Sequence, residues 1–226
     1  MSNLNKRILT SLIALPLSIF FVVKGGYFLL FFLIFILFAG MHELFTVFKK
    51  TATILILSLL LILSLYSIYY LKQNNPIFLY YIIVISVSTD VGGYFFGKIF
   101  KWKKLSKISP KKTISGVFGS YFFSIICLVV FLNIYTWDFT EALPAFINIQ
   151  SFLVAIIFST VAQFGDLTIS YFKRLEKIKD TGKILPGHGG IFDRIDGLMF
   201  VVILASLLHF LLNHNFTTGT FNWLLL

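Results

Sequence analysis

Seven apolar runs divide this chain, at about residues 8–23, 27–48, 52–71, 77–100, 114–136, 150–170 and 197–213. Most approach the roughly 20 residues that carry an α-helix across a bilayer; the first, which contains Pro16, is shorter. Backbone polar groups in hydrocarbon must be satisfied within the protein, so such runs are read as helices. Strands of a membrane barrel would alternate apolar and polar residues, and these do not. With 58% hydrophobic residues and 12% charged, an ordinary soluble domain is excluded. The expected fold is an all-α polytopic membrane protein of about seven transmembrane helices. No small-residue cleavage site follows the first run, so it is expected to be a retained helix rather than a signal peptide. The single cysteine, Cys127, allows no intrachain disulfide.

Charge sets the expected orientation. All but Lys24 and Lys72 of the 19 Lys and Arg residues fall in alternate connections. These hold Lys6 and Arg7, then Lys49 and Lys50, then the lysines from Lys98 to Lys112, then the cations from Lys173 to Arg194. The other side carries the acidic pair Asp138 and Glu141 and a C-terminal tail without Lys or Arg. The positive-inside rule then places the N-terminus and both long polar loops in the cytoplasm and the C-terminus outside. The formal charge of +10 is better assigned to anionic lipid or a phosphorylated substrate than to nucleic acid, which is not expected as a partner.

Polar residues are almost absent from the first three spans. His42 and Glu43 are the exception, and the plain reading is an interfacial pair reaching for water. His209 and His214, near the outer end of the last span, are likewise read as interfacial. In the fourth span Ser86, Asp90, Gly93, Tyr94 and Gly97 share one helical face. A carboxylate inside a span costs on the order of 3 kcal/mol, so Asp90 should face a polar cavity or a partner. Gly93 and Gly97 form a small-xxx-small pair suited to close helix packing. The following loop offers Ser109, Lys111, Lys112 and Thr113, groups that hold phosphate oxygens or simply anchor a basic loop to anionic lipid.

The densest chemistry runs from Gln163 to Asp196. Gln163, Asp166, Ser170 and Lys173 form one helical stripe, with a carboxylate deep, a hydroxyl next and a cation at the edge. The loop beyond holds Lys179, Asp180 and the turn Leu185-Pro186-Gly187-His188-Gly189-Gly190, whose glycines let main-chain N–H groups approach an anion. Asp193, Arg194 and Asp196 open the last helix, whose N-terminus favours phosphate. Carboxylates from two helices at one membrane face make a candidate magnesium site, with Asp166 and Asp193 as ligands and Asp90 and Asp196 as further candidates. Arg174 and Arg194 are two of only three arginines, and Arg recognises phosphate bidentately. The plain alternative is a charge network that pins two helix ends together.

These residues resemble the phosphatidate cytidylyltransferase (CDP-diacylglycerol synthase) family. That signature is similar to the series Ser170, Phe172, Lys173, Arg174, Lys179, Asp180, Gly182, Leu185, Pro186, His188, Gly189, Gly190, Asp193, Arg194 and Asp196. Asp90-x-x-Gly93-Tyr94, Ser109-Pro110-Lys111-Lys112-Thr113-x-x-Gly116 and Gly165-Asp166-Leu167 resemble its other blocks. The resemblance implies transfer of CMP from CTP to phosphatidate, giving CDP-diacylglycerol and pyrophosphate in phospholipid biosynthesis. It further implies Mg2+, with a monovalent cation such as K+ as a second candidate, a homodimer, and residence in a bacterial inner membrane with the active site facing the cytoplasm. On this reading residues 1–75 are an N-terminal region of three helices. Residues 76–226 are the catalytic region, with cytoplasmic loops 101–113 and 171–196. Lys173, Arg174, Asp193 and Arg194 are the expected catalytic residues. Ser109, Lys111, Lys112, Thr113, Ser170, Lys179, Asp180, His188, Gly189 and Gly190 are expected to bind substrate or phosphate. The rivals are a CTP-dependent polyprenol or dolichol-type lipid kinase and a membrane transporter.

Overall fold

The computed structural model describes residues 3–106, 108–110, 112–137, 149–182, 184, 187 and 189–215. They form seven helices: α1 (Asn3–Lys24), α2 (Gly26–Val47), α3 (Thr51–Asn74), α4 (Pro76–Phe100), α5 (Ile114–Trp137), α6 (Ile149–Leu175) and α7 (Phe192–Asn215). Helices α2 to α7 contain segments long and apolar enough to cross a membrane. The apolar part of α1, Thr10–Lys24, is shorter. Many large apolar side chains are exposed along the bundle, Tyr27, Phe38 and Ile134 among them. Lipid is the solvent that suits such a surface.

Local signals set the helix ends. The Asn75 side chain accepts the Phe78 N–H, and Pro76 opens α4 where no N–H is needed. Thr113 does the same for α5, its hydroxyl accepting the Gly116 N–H at 3.1 Å. The segment between α4 and α5 is pinned by one antiparallel bridge, Lys104 with Thr113.

Two apolar cores hold the bundle. One joins α3, α4, α5, α6 and α7 through Leu71, Ile82, Leu128, Phe158 and Val202. The other joins α2, α3, α6 and α7 through Leu44, Leu61, Ile169 and Met199. A polar layer ties α4, α5 and α6: Thr89 Oγ1 donates to Ser159 Oγ, and Ser120 Oγ donates to the Thr89 carbonyl. His209, read from sequence as interfacial, is buried instead and shares a hydrogen bond with the Tyr70 hydroxyl, α7 to α3. The side chain of His214 lies outside the described residues.

Helices α4 and α5 meet backbone to backbone. Gly93 and Gly97 face α5 as their spacing suggests, but Gly92 makes the tightest approach. A Cβ there would sit 2.3 Å from the Gly119 carbonyl oxygen and 2.6 Å from the Phe123 Cβ. Main chain cannot yield as a flexible side chain can. Gly92→Ala is therefore expected to cost about 1–3 kcal/mol by overpacking. The thermal midpoint of the purified protein in detergent reads this out; an unchanged midpoint would contradict so close a contact.

Candidate active site

Polar groups gather where α6 ends and α7 begins, beside the end of α2 and the segment before α5. Among the described residues two side-chain ion pairs organise the cluster. Lys112 Nζ lies 2.6 Å from Asp166 Oδ2 and also donates to the Gln163 carbonyl at 3.1 Å. Lys173 Nζ lies 2.8 Å from Asp193 Oδ1. The first pair stitches the segment before α5 to α6; the second stitches α6 to α7.

Asp193 does more than pair with lysine. Its Oδ2 accepts the main-chain N–H groups of Thr181 at 2.9 Å and Gly190 at 3.2 Å. Both oxygens are thus engaged, and the middle of the α6–α7 loop, at Thr181, and its last turn, at Gly190, are tied to one carboxylate. Gly189, with φ +89, makes the turn that delivers these donors.

Asp166 has different neighbours. Its charge acts on Asp90 of α4 and on Asp196 of α7, and those two act on each other. Lys112 and Arg194 lie near Asp90, and Lys173 lies near Asp196. Asp90 is exposed. Three like charges that act on one another call for cations. Among the described residues no three Asp, Glu, His or Cys side chains close on a common point to cage a metal by themselves. Magnesium does not need that, since it is commonly held by one or two carboxylates with substrate phosphates supplying other oxygens. The carboxylate oxygens of Asp90, Asp166 and Asp196 suit this hard cation. Gln163 Nε2 is buried with no partner among the described residues, a donor left over at the same place.

The remaining expected residues take distinct places. Ser170 donates to Asp166 Oδ1 over a long 3.4 Å. Arg174 is exposed and bridges two loops, through Nε to the Ile108 carbonyl and Nη1 to the Ile178 carbonyl. The Ser109 carbonyl accepts the Lys112 N–H, closing a turn. Lys179, Asp180 and Arg194 are exposed. Thr113, read as a phosphate ligand, has its hydroxyl engaged in capping α5 and bonding to Ser115. Lys111, Lys183, Leu185, Pro186, His188, Asp138 and Glu141 lie outside the described residues.

Glu43 is the residue that sequence reading undervalued. It is 1% exposed, not reaching for water. Its Oε1 accepts the Ile191 N–H at 2.9 Å and its Oε2 the Phe192 N–H at 3.2 Å. A signal was present: Glu43 falls on the same stripe of α2 as Leu33, Gly40 and Leu44, which turns inward.

The fold and site define a polytopic helical membrane protein with a carboxylate and cation cluster at one end of its bundle. Residues 50–212 match the model of the Cytidylyltransferase family, and the chain belongs to that family. It is 42% identical over 142 residues to a protein named phosphatidate cytidylyltransferase from Staphylococcus aureus (strain COL), an alignment covering 62% of this chain and 52% of that protein. A protein of the same name from Helicobacter pylori (strain ATCC 700392 / 26695) is 38% identical over 150 residues, 66% of this chain and 52% of the relative. The chain spans about half the length of the curated relatives it matches.

Proposed function

We propose that this protein transfers CMP from CTP to phosphatidate, releasing pyrophosphate and forming CDP-diacylglycerol. Membership of the cytidylyltransferase family and the names of its relatives support this reading. The observation that carries it is the meeting of Asp90, Asp166 and Asp196 with Lys112, Lys173 and Arg194 at one end of a membrane bundle. A nucleotide enzyme acting on a lipid needs a site that touches bilayer and water together, and that end of the bundle offers one.

An oxygen of the lipid phosphate attacks the α-phosphorus of CTP. A new phosphoanhydride P–O bond forms, the bond to the β-phosphate's bridging oxygen breaks, and pyrophosphate leaves with that electron pair. The nucleophile is already an anion, so no strong base is required, and positioning with charge neutralisation does most of the catalysis. Arg174, Arg194 and Lys179 are exposed cations suited to triphosphate oxygens, while Lys112, with Lys111 and Ser109, suits either substrate's phosphate. Gly189, Gly190 and His188 are assigned to the triphosphate from the sequence signature, Gly190 with its N–H already given to Asp193. Asp166, with Asp196 and Asp90, would hold Mg2+, which when bound neutralises phosphate charge; a monovalent cation such as K+ would share the same carboxylates. Asp193, its oxygens engaged by Lys173, Thr181 and Gly190, is assigned to ordering the loop instead of to the metal. The distribution of lysine supports a site on the cytoplasmic side; the family resemblance is the ground for placing it in a bacterial inner membrane as a homodimer.

Labelled CTP tests the reaction. With purified protein, phosphatidate and magnesium, label in the α-phosphate is expected in the lipid and γ-label in released pyrophosphate. A lipid kinase would put γ-label in the lipid, and a transporter would release no pyrophosphate. Either result would overturn the proposal.

A further inference from the structure

We propose that Glu43 is a positioning residue that sets the α6–α7 loop and the start of α7 in register for CTP binding, an inference that rests on the reaction proposed above. It lies before residue 50, where the family match begins. A carboxylate on α2 is nearly fully buried, and among the described residues no Lys or Arg nitrogen comes within ion-pair distance of it. Burying such a charge is costly unless donors surround it. Here the donors are the N–H groups of Ile191 and Phe192, at the N-terminus of α7. A helix start leaves its first N–H groups without intrahelical partners and carries partial positive charge. Glu43 supplies from another helix the cap that the sequence around residue 191 lacks.

The loop is shaped to this carboxylate. A Cβ on Gly182 would lie 2.5 Å from Glu43 Oε1, and one on Gly190 would lie 2.6 Å from Oε2. The middle of the loop, at Gly182, and its α7 end, at Gly190, therefore rest against Glu43. Thr181 and Gly190, adjacent to these contacts, also donate to Asp193. Two carboxylates close enough to repel one another are held by donors from one loop. Asp193 binds the loop to α6 through Lys173, and Glu43 binds it to α2. The loop carries Gly189 and Gly190 and leads directly to Arg194, the parts assigned to the triphosphate. No group on this loop is assigned to phosphatidate, and the segment before α5, which suits either substrate's phosphate, makes no hydrogen bond to Glu43 among the described residues.

Glu43→Gln in the full chain is the deciding variant, because it keeps size while turning an amide NH2 toward one of the two N–H groups. The KM for CTP is expected to rise about tenfold, the loss of one hydrogen bond to a charged group, with the KM for phosphatidate unchanged. Hydrogen exchange supplies a second readout. The Ile191 and Phe192 amides should be protected in the unaltered protein and exchange faster in the variant. An unchanged KM for CTP, or an equal rise in both KM values, overturns the inference. So does rapid exchange at Ile191 and Phe192 in the unaltered protein, a measurement that stands even if the variant does not fold. Should the unaltered protein form no CDP-lipid, the reading of the reaction falls, and exchange alone decides whether Glu43 holds the loop.

Discussion

Asp166→Asn is expected to lower CDP-lipid formation by about a hundredfold or more, the scale on which charge stabilisation at a phosphoryl centre operates. The substitution keeps the side chain's size and one acceptor oxygen for Lys112, removes the charge, and turns an NH2 toward the Ser170 hydroxyl in place of the second oxygen. Lys112 keeps its bond to the Gln163 carbonyl. The ion pair that is lost has side chains 22% and 25% exposed, more open than the Lys173–Asp193 pair at 10% and 11%, so its loss is expected to cost less stability than the loss of that pair. Pyrophosphate release and a thermal midpoint on the same preparation therefore separate chemistry from folding. Activity close to that of the unaltered protein would remove Asp166 from the proposed cation site.

Asp193→Asn is expected to act mainly through stability. Lys173 and Asp193 are only 10% and 11% exposed, and removing one partner leaves a charge buried without its counterion. That situation typically costs about 3–5 kcal/mol. The amide oxygen, placed where Oδ2 lies, can still accept both main-chain N–H groups, which leaves its NH2 facing the Lys173 ammonium. Replacing Lys173 by Met in the same chain should recover part of the thermal midpoint, because no unpaired ammonium remains. It should not recover turnover, because the Lys173 cation near Asp196 has been removed as well. A midpoint unaffected by Asp193→Asn would show that the pair does not hold α6 and α7 together.

How much of this was legible in the chain follows from the range of each interaction. The seven helices were readable because each is a local pattern of apolar length and polar breaks, and α1 was short by the same measure. The stripe from Gln163 to Lys173 was readable because helical spacing fixes it. Its partners were harder to assign. Asp166 and Asp193 looked like a pair because both are acids on converging helices, yet each meets a different lysine, and sequence holds no distance between Asp193 and the Thr181 N–H. Thr113 looked like a phosphate ligand, but a threonine before a helix is also a cap, and in the structure its hydroxyl serves as one. Glu43 was the hardest, since its partners are main-chain groups well over a hundred residues away and N–H groups leave no mark on composition. The expectations for Lys111, Pro186 and His188 concern residues outside those described.

Helix α7 packs in both apolar cores and carries Asp193, Arg194 and Asp196 on its first two turns. It is in effect a spindle with the proposed reacting end at its tip. A substitution at Val202 or Met199, buried in those cores, is expected to change how that spindle seats and so where its acidic end points. Membrane thickness acts on the same shaft, so the lipid around this protein is part of what aims its chemistry.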